Sequence, residues 1–283
     1  MPEPHVQVLL LCRWSVPASL EAFEHKFSSM DELRTHLYAP ERLRLRLWML
    51  RNVLIPSIRS QNDDRFKLLL MLGEHLPSPY REAVLESVSS VPQIRPIFVP
   101  EGQPHREQCR ELMQRFRDPR ATVVAEGRLD DDDALATDFV AMARSYFPKL
   151  RPFFRNAPKL ALDFPRGFLF EIRGAELTLQ PAIHRLWTPA LIIYTRPSHP
   201  KGLLDYKHHL LWQHMDVYSW QDQPMFLRGV HSGNDSGISF GQGRDTGRTY
   251  SDDEIDAQLF HRFGINLTDL QESWANFVAS GAC

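Results

Sequence analysis

Compact apolar runs and longer amphipathic stretches alternate along the first half of the chain. Val6–Leu11, Phe66–Leu72, Ile94–Val99 and Thr122–Leu129 are short apolar runs, and each predicts a buried strand. Between them apolar residues recur at helical spacing. The pattern is weak around Met30–Leu37, long over Glu41–Arg59 through Leu43, Leu47, Leu50, Leu54 and Ile58, and clear over Pro79–Val91 and Pro104–Phe116. Pro56 is expected to kink or end the long helix, whereas Pro79 suits a first helical turn. Asp133–Phe147 reads as the helix after the fourth strand. Four strand–helix alternations predict a mostly parallel sheet with helices on both faces. Ligands of such sheets bind beyond the C-terminal strand ends, near a topological switch point.

The second half changes character. Lys159–Pro181 predicts two or three strands with a turn at Arg173-Gly174, Leu191–Thr195 another strand, and Phe226–His231 a last one, which together make a small antiparallel element. Gly202–Met215, Asp252–Phe263 and Thr268–Val278 predict helices. Residues 232–248 are rich in Gly, Ser, Asn and Asp and long for a passive connection, so they are expected to be a moving lid or disordered. No repeat or linker divides the chain. The expectation is one domain over 1–283, with a nucleotide-type half (1–150) and an elaborated, acceptor-side half (151–283).

Composition narrows the class. In 283 residues, 17 Phe, 6 Trp and 7 Tyr supply a large core. Thirty-three basic against 35 acidic residues argue against a nucleic-acid binder. No run of 18 apolar residues predicts a membrane span, and Met1–Leu11 lacks the basic start of a signal peptide. Cys12, Cys109 and Cys283 are too few and too scattered for a disulfide framework or a metal knuckle. The expected address is the cytoplasm, with peripheral attachment at the inner membrane surface through a partner. Arginine outnumbers lysine 27 to 6, which composition bias explains and which a phosphorylated ligand would also suit.

Arg128-Leu129-Asp130-Asp131-Asp132-Asp133 ends the fourth predicted strand and enters a predicted helix. If the strand persists, Asp130 and Asp132 share one face and Asp131 and Asp133 the other. Four carboxylates this close repel unless something neutralises them. The plain reading is that Asp132 or Asp133 caps the helix. The sharper one is a divalent cation, Mn²⁺ or Mg²⁺, held beside substrate phosphates. The position beyond a strand end favours the second.

Two further motifs accompany the run. Ser57, Gln61 and Phe66 fall in an S-x-x-x-Q-x-x-x-x-F spacing between the long helix and the second strand, and Arg13-Trp14-Ser15 follows the first. With Leu129–Phe139 as a D-x-D region, the chain resembles GT-A glycosyltransferases and is most similar to a bacterial rhamnosyltransferase family. The resemblance implies a GT-A fold and a metal-dependent transfer of a sugar, rhamnose by the family label, from a nucleoside-diphosphate donor. The acceptor would be a hydroxyl on a glycan, a lipid-linked carrier or a protein, in surface polysaccharide synthesis. It implies Asp132 as direct metal ligand and Asp130 in the metal or ribose shell, with Asp131 as an alternative. Arg13, Trp14 and Ser15 would hold the nucleoside, Trp14 by stacking on the base. His231 would complete the metal shell. Arg244 and Arg248 would reach the diphosphate from the lid, and the general base would be Asp205, with Asp216, Asp222 and His209 as alternatives.

Other classes fit less well. His208, His209 and His214 lack zincin spacing and a suitably placed Glu, so they read as surface or core residues. There is no P-loop and no G-x-G-x-x-G, which weakens a nucleotidyltransferase, although the Asp run would serve one too. A non-catalytic binding module is less attractive with that run intact. The G-x-S-x-G letters occur at Gly237–Gly241, inside the Gly-rich 232–248 run and not at a predicted strand-to-helix elbow, so Ser/His/Asp hydrolysis finds no support.

Overall fold

A computed structural model describes residues 3–23, 25–173, 176–231 and 251–281. The chain opens with β1 (Val6–Trp14), buried on both faces as a central parallel strand requires. Next come α1 (Met30–Leu37), α2 (Pro40–Met49), a π-helical segment (Leu50–Leu54) and α3 (Ile55–Arg59). α2, the π-helical segment and α3 form one continuous helical run, and Pro56 does not end it. Pro56 has no N–H to give the preceding turn, and the widened π turn before it absorbs the defect, Ile55 N–H reaching back five residues to Leu50 O.

The alternation then proceeds as predicted through β2 (Phe66–Gly73), α4 (Tyr80–Val88), β3 (Ile94–Val99), α5 (His105–Phe116) and β4 (Val123–Asp130). After β4 the structure departs from the sequence reading. Asp133–Leu135 forms a short strand, β5, and the helix, α6, begins only at Phe139 and runs to Asn156. No aspartate of the run caps it. The helix continues through Pro148 and Pro152 because Phe139, Ala143, Phe147, Leu150 and Phe154 form a buried stripe along one side.

The second half supplies β6 (Lys159–Asp163), β7 (Arg166–Arg173), β8 (Glu176–Ile183), β9 (Leu191–Thr195), β10 (Asp216–Ser219) and β11 (Phe226–Val230), then α7 (Asp252–Phe263) and α8 (Leu267–Ala279). β10 was not foreseen. The predicted helix over Gly202–Met215 is instead two 3₁₀ segments, Leu203–Asp205 and His208–Gln213. Its apolar spacing comes from Leu203, Tyr206, Leu211 and Met215 packing individually beneath Leu186, Leu191 and Ile193.

The main sheet has the order β10-β6-β9-β4-β1-β2-β3. β4, β1, β2 and β3 are mutually parallel, and β9 runs against β4 and β6. The order β3-β2-β1-β4 reverses direction between β1 and β4, so the switch point lies where those two strands end. A second sheet, β5-β11-β7-β8, mixes one parallel with two antiparallel pairings. One apolar cluster joins both sheets and the closing helices, from Val6 and Leu68 through Phe139 and Phe168 to Phe263 and Trp274. No helix among the described residues is long and apolar enough to cross a membrane.

Candidate functional site

β1 and β4 pair in register with Arg13 opposite Asp130, so both strands end side by side. A cavity of about 250 Å³ opens there, at the switch point. Five arginines line it: Arg13 from β1, Arg42 and Arg46 from α2, Arg128 from β4 and Arg228 from β11. Facing them are Asp130, Asp131 and Asp132. The walls beside Arg13 are apolar, with Leu11, Val16, Ala22, Phe23 and Leu37.

The aspartate run is not an extended strand. β4 ends at Asp130, Asp131 and Asp132 turn, and Asp133 starts β5 opposite Arg228 of β11. Two backbone contacts fix the turn: Asp130 N–H donates to Asp133 Oδ2 (2.8 Å), and Gly229 N–H donates to Asp132 O (3.1 Å). The expected two-face alternation is therefore replaced. Asp130, Asp132 and Asp133 each bring an oxygen within 4.8 Å of the others, and Asp131 turns away to Arg46.

Each buried carboxylate has its own environment. Arg46 Nη1 lies 2.5 Å from Asp131 Oδ1 and 3.7 Å from Asp132 Oδ1. Burial pushes Asp131 up to about 6 even so, against the pull of Arg46. Burial also acts on Asp132, but the His231 hydrogen bond, Arg46 and Arg228 outweigh it and hold Asp132 well below the ordinary carboxylate range. Asp133 is raised by burial, which Arg228 only partly offsets. Its Oδ1 is buried without a hydrogen-bond partner among the described residues, as is Asp131 Oδ2.

His231 follows β11 and is brought to the run as expected, its Nε2 3.1 Å from Asp132 Oδ2. Ser15 lines the cleft with φ 49°, and its Oγ accepts from Arg42 Nη1 at 3.0 Å. Arg13 lies 5.4 Å from the Phe23 ring, and its Nη1 is buried without a partner among the described residues. Trp14 is a correction. It is 0% exposed, points to the opposite face of β1, and donates its Nε1 to Arg46 O at 3.4 Å. Strand alternation explains it: Arg13 faces the cleft, so its neighbour enters the core and cannot stack on a base.

The structure does not bring Asp205 to the cleft. Its Oδ1 accepts from Arg110 Nη1 (2.8 Å) and its Oδ2 from Gly202 N–H (2.8 Å), which holds a 3₁₀ turn; its neighbour Leu204 faces the cavity instead. Asp216 and Asp222 are exposed near the β10 edge, away from the lining, and His209 is exposed too. His208 donates Nδ1–H to Leu186 O, 2.6 Å away. Residues 232–248, with Arg244 and Arg248, lie outside the described residues.

The sequence reading missed Arg42 and Arg46, Arg228, Phe23 and His105. Arg42 and Arg46 are four residues apart on α2, a spacing that puts them on one face. His105 opens α5 at the cleft wall, and burial with the charges of Arg13 and Arg128 lowers it to about 3, so it is neutral near pH 7. The Gln61 motif proves mechanical. Its Nε2 donates to Ser57 O and Ala136 O, and its Oε1 accepts from Val140 N–H, tying α3 to the segment behind β5.

The donor set suits a divalent cation. Three carboxylate oxygens converge, Asp133 Oδ1 is buried and unpartnered among the described residues, and an imidazole nitrogen adjoins Asp132. A family model described as "Putative rhamnosyl transferase" matches residues 7–243. No curated protein matches. Among solved structures the chain is similar to S. aureus TarS (9% identity over 80% of this chain and 37% of that one, TM-score 0.40). It is also similar to TarS 1–349 in complex with UDP (10%, 80% and 60%, TM-score 0.38) and with UDP-GlcNAc (10%, 97% and 71%, TM-score 0.39). The chain spans 37% and 60% of the first two, and likenesses this distant carry no weight for the site.

Proposed function

The chain belongs to this rhamnosyl transferase family, and on that premise we propose that it moves a sugar from a nucleoside-diphosphate donor to a hydroxyl acceptor with the help of a divalent cation. Rhamnose is the sugar the family's description suggests. The acceptor class is a glycan, a lipid-linked carrier or a protein in surface polysaccharide synthesis, met in the cytoplasm or at the inner membrane surface. The described and undescribed parts of 1–283 act as one catalytic unit in this reading.

The observation that carries it is the convergence of Asp130, Asp132 and Asp133 within 4.8 Å at the edge of an arginine-lined cleft. Such a cleft suits a ligand that is itself strongly anionic. Guanidinium groups bind phosphate oxygens in pairs, and fixed donors stabilise charge that grows on a departing diphosphate. Asp130, Asp132 and Asp133, with His231, would hold Mn²⁺ or Mg²⁺. When bound, such an ion supplies Lewis-acid stabilisation of the leaving group without a proton transfer. Arg13 and Arg128 approach from the α5 face of the sheet, Arg42 and Arg46 from the α2 face, and Arg228 from the second sheet, so the diphosphate is enclosed from three sides. Ser15, in place of Trp14, lines the nucleoside end.

The test is a thermal-shift and calorimetric panel of UDP, dTDP and GDP, each with and without Mn²⁺, followed by the matching sugar nucleotides in a nucleoside-diphosphate release assay. One diphosphate is expected to stabilise the protein with Mn²⁺, and Asp132→Asn to abolish release in a folded protein. A flat response to the whole panel, or release of inorganic pyrophosphate instead, would overturn the reading; the latter would indicate nucleotidyl transfer.

A further inference from the structure

Arg46 occupies an unusual place for a cation. Its side chain is 8% exposed, and its guanidinium sits against the carboxylates of Asp131 and Asp132. It cannot leave by a movement of its helix. α2 is pinned on one side by Trp14, which donates to Arg46 O itself. On the other side Trp48 Nε1 donates to Ser273 Oγ at 3.0 Å and its ring meets Trp274 edge-on at 4.9 Å. The positive charge is therefore a fixed neighbour of Asp132.

We propose that Arg46 is a charge gate: it keeps a free divalent cation off the aspartate turn and makes cation binding conditional on a diphosphate. The inference rests on the donor and cation assignment made above. A cation on Asp132 Oδ1 would lie no more than about 6 Å from Arg46 Nη1, which is 3.7 Å from that oxygen. At that distance a doubly charged ion and a single charge repel by roughly tenfold in affinity even at the dielectric constant of water, and by more in a buried cleft. A diphosphate reverses the sign. Its oxygens accept from the Arg46 fork and face the cation, so both positive groups gain a shared anion. Asp131 keeps the guanidinium in place when no anion is present. By reciprocity the diphosphate must then also bind more tightly with the cation than without it.

The geometry makes a prediction that a merely structural arginine would not. Arg46→Met keeps the buried stem and removes the charge. It should tighten Mn²⁺ binding alone by tenfold or more while weakening UDP alone by a similar factor, shifts of opposite sign. Mn²⁺ is read by the electron paramagnetic resonance signal of the free ion, UDP by calorimetry, with dTDP and GDP run alongside, on the whole chain. Arg46→Lys, which retains a charge, should keep Mn²⁺ excluded. Arg46→Met binding Mn²⁺ no tighter than wild type overturns the gate. If Arg46→Met does not fold, two results still decide: Arg46→Lys admitting Mn²⁺ alone tenfold more tightly, or wild type binding Mn²⁺ equally well with and without diphosphate, overturns it. Should no nucleoside diphosphate bind wild type, the proposed donor fails, while the Mn²⁺ titration of the variants still reads the gate.

Discussion

Gly229 offers the sharpest perturbation of the site without touching a charged group. It lies on β11, donates its N–H to Asp132 O, and has no side chain where Asp132 comes closest. A Cβ built there would meet Asp132 Cβ at 2.7 Å and Asp132 O and Oδ2 at 2.9 Å. Ordinary contact needs at least 3.4 Å. The turn must therefore retreat by about 0.5–1 Å, since two of the three obstructing atoms, Asp132 O and Cβ, belong to the backbone and the first side-chain carbon and cannot swing aside as a flexible tip can. Overpacking of this kind costs about 1–3 kcal/mol. A displacement near 1 Å at a reacting centre costs about 10²-fold in rate. Gly229→Ala is thus expected to fold, lose about 1–3 kcal/mol in a urea titration, and lose about 10²-fold in kcat with the donor that the panel identifies. Gly202→Ala is the control, because its Cβ would meet only ordinary contacts, Arg110 Cα at 3.7 Å and Glu126 Oε2 at 3.8 Å. Gly229→Ala with wild-type kcat per folded molecule would refute the claim that this glycine sets the position of Asp132.

Three other outcomes are expected. Arg117→Ala removes the ion-pair partner of Glu126, 2.8 Å away with both side chains almost fully buried, and should cost about 3–5 kcal/mol in the same urea assay, a loss that Glu126→Leu does not restore because Arg117 also holds Pro197 O, His199 O and Lys201 O. His105 is held neutral in the fold down to about 3 whereas the unfolded chain takes up a proton near 6.5, so its contribution is complete above pH 6.5 and is lost as pH falls toward 3; His105→Asn should flatten that limb of a Tm-against-pH curve. Phe23 is 6% exposed and packs with Ala18, Leu33 and Leu37, so Phe23→Ala should cost about 3–5 kcal/mol in the urea assay, and a loss below about 1 kcal/mol would remove it from that core.

The parts of the fold that the sequence made legible are those where burial alone decides. β1 and β2 are buried along nearly their whole length, β3 and β4 begin with or contain short apolar runs, and α5 and α7 carry stripes and defined ends, so period and length suffice. The readings that failed involve partners distant in sequence. Asp133–Leu135 looked like a helix start, because nothing local announces that Phe226–Arg228 will pair with it. Gly202–Met215 has helical spacing, yet Asp205 is drawn to Arg110 across 95 positions and the chain tightens into 3₁₀ turns. At the site, the aspartates and His231 were legible from their types and place. The arginines were not, since 27 arginines give no hint which of them converge. Trp14 failed for a simpler reason: a strand that delivers Arg13 to the cleft must deliver the next residue to the core.

The four aspartates look equivalent in sequence, and the fold separates them. Like charges at adjacent positions are costly together, so the turn assigns each a different counterpart. Asp131 is committed to Arg46. Asp133 gives one oxygen to the Asp130 N–H and retains another that is buried and unpartnered among the described residues. Asp132 lies among His231, Arg46 and Arg228 and is ionised as a result. Asp130 is the half-buried member at the mouth, in register with Arg13. The arrangement depends on two strands reaching the same point from different sheets: β4 delivers the carboxylates, and β11 delivers Arg228, Gly229 and the chain leading into His231. It follows that the second half of the chain is not an appendage to a nucleotide-binding half. Without β11 the aspartate run would lose the glycine that gives it room, an arginine that offsets its charge and the imidazole that adjoins Asp132, and it would revert to the strand end or helix cap that its sequence suggests.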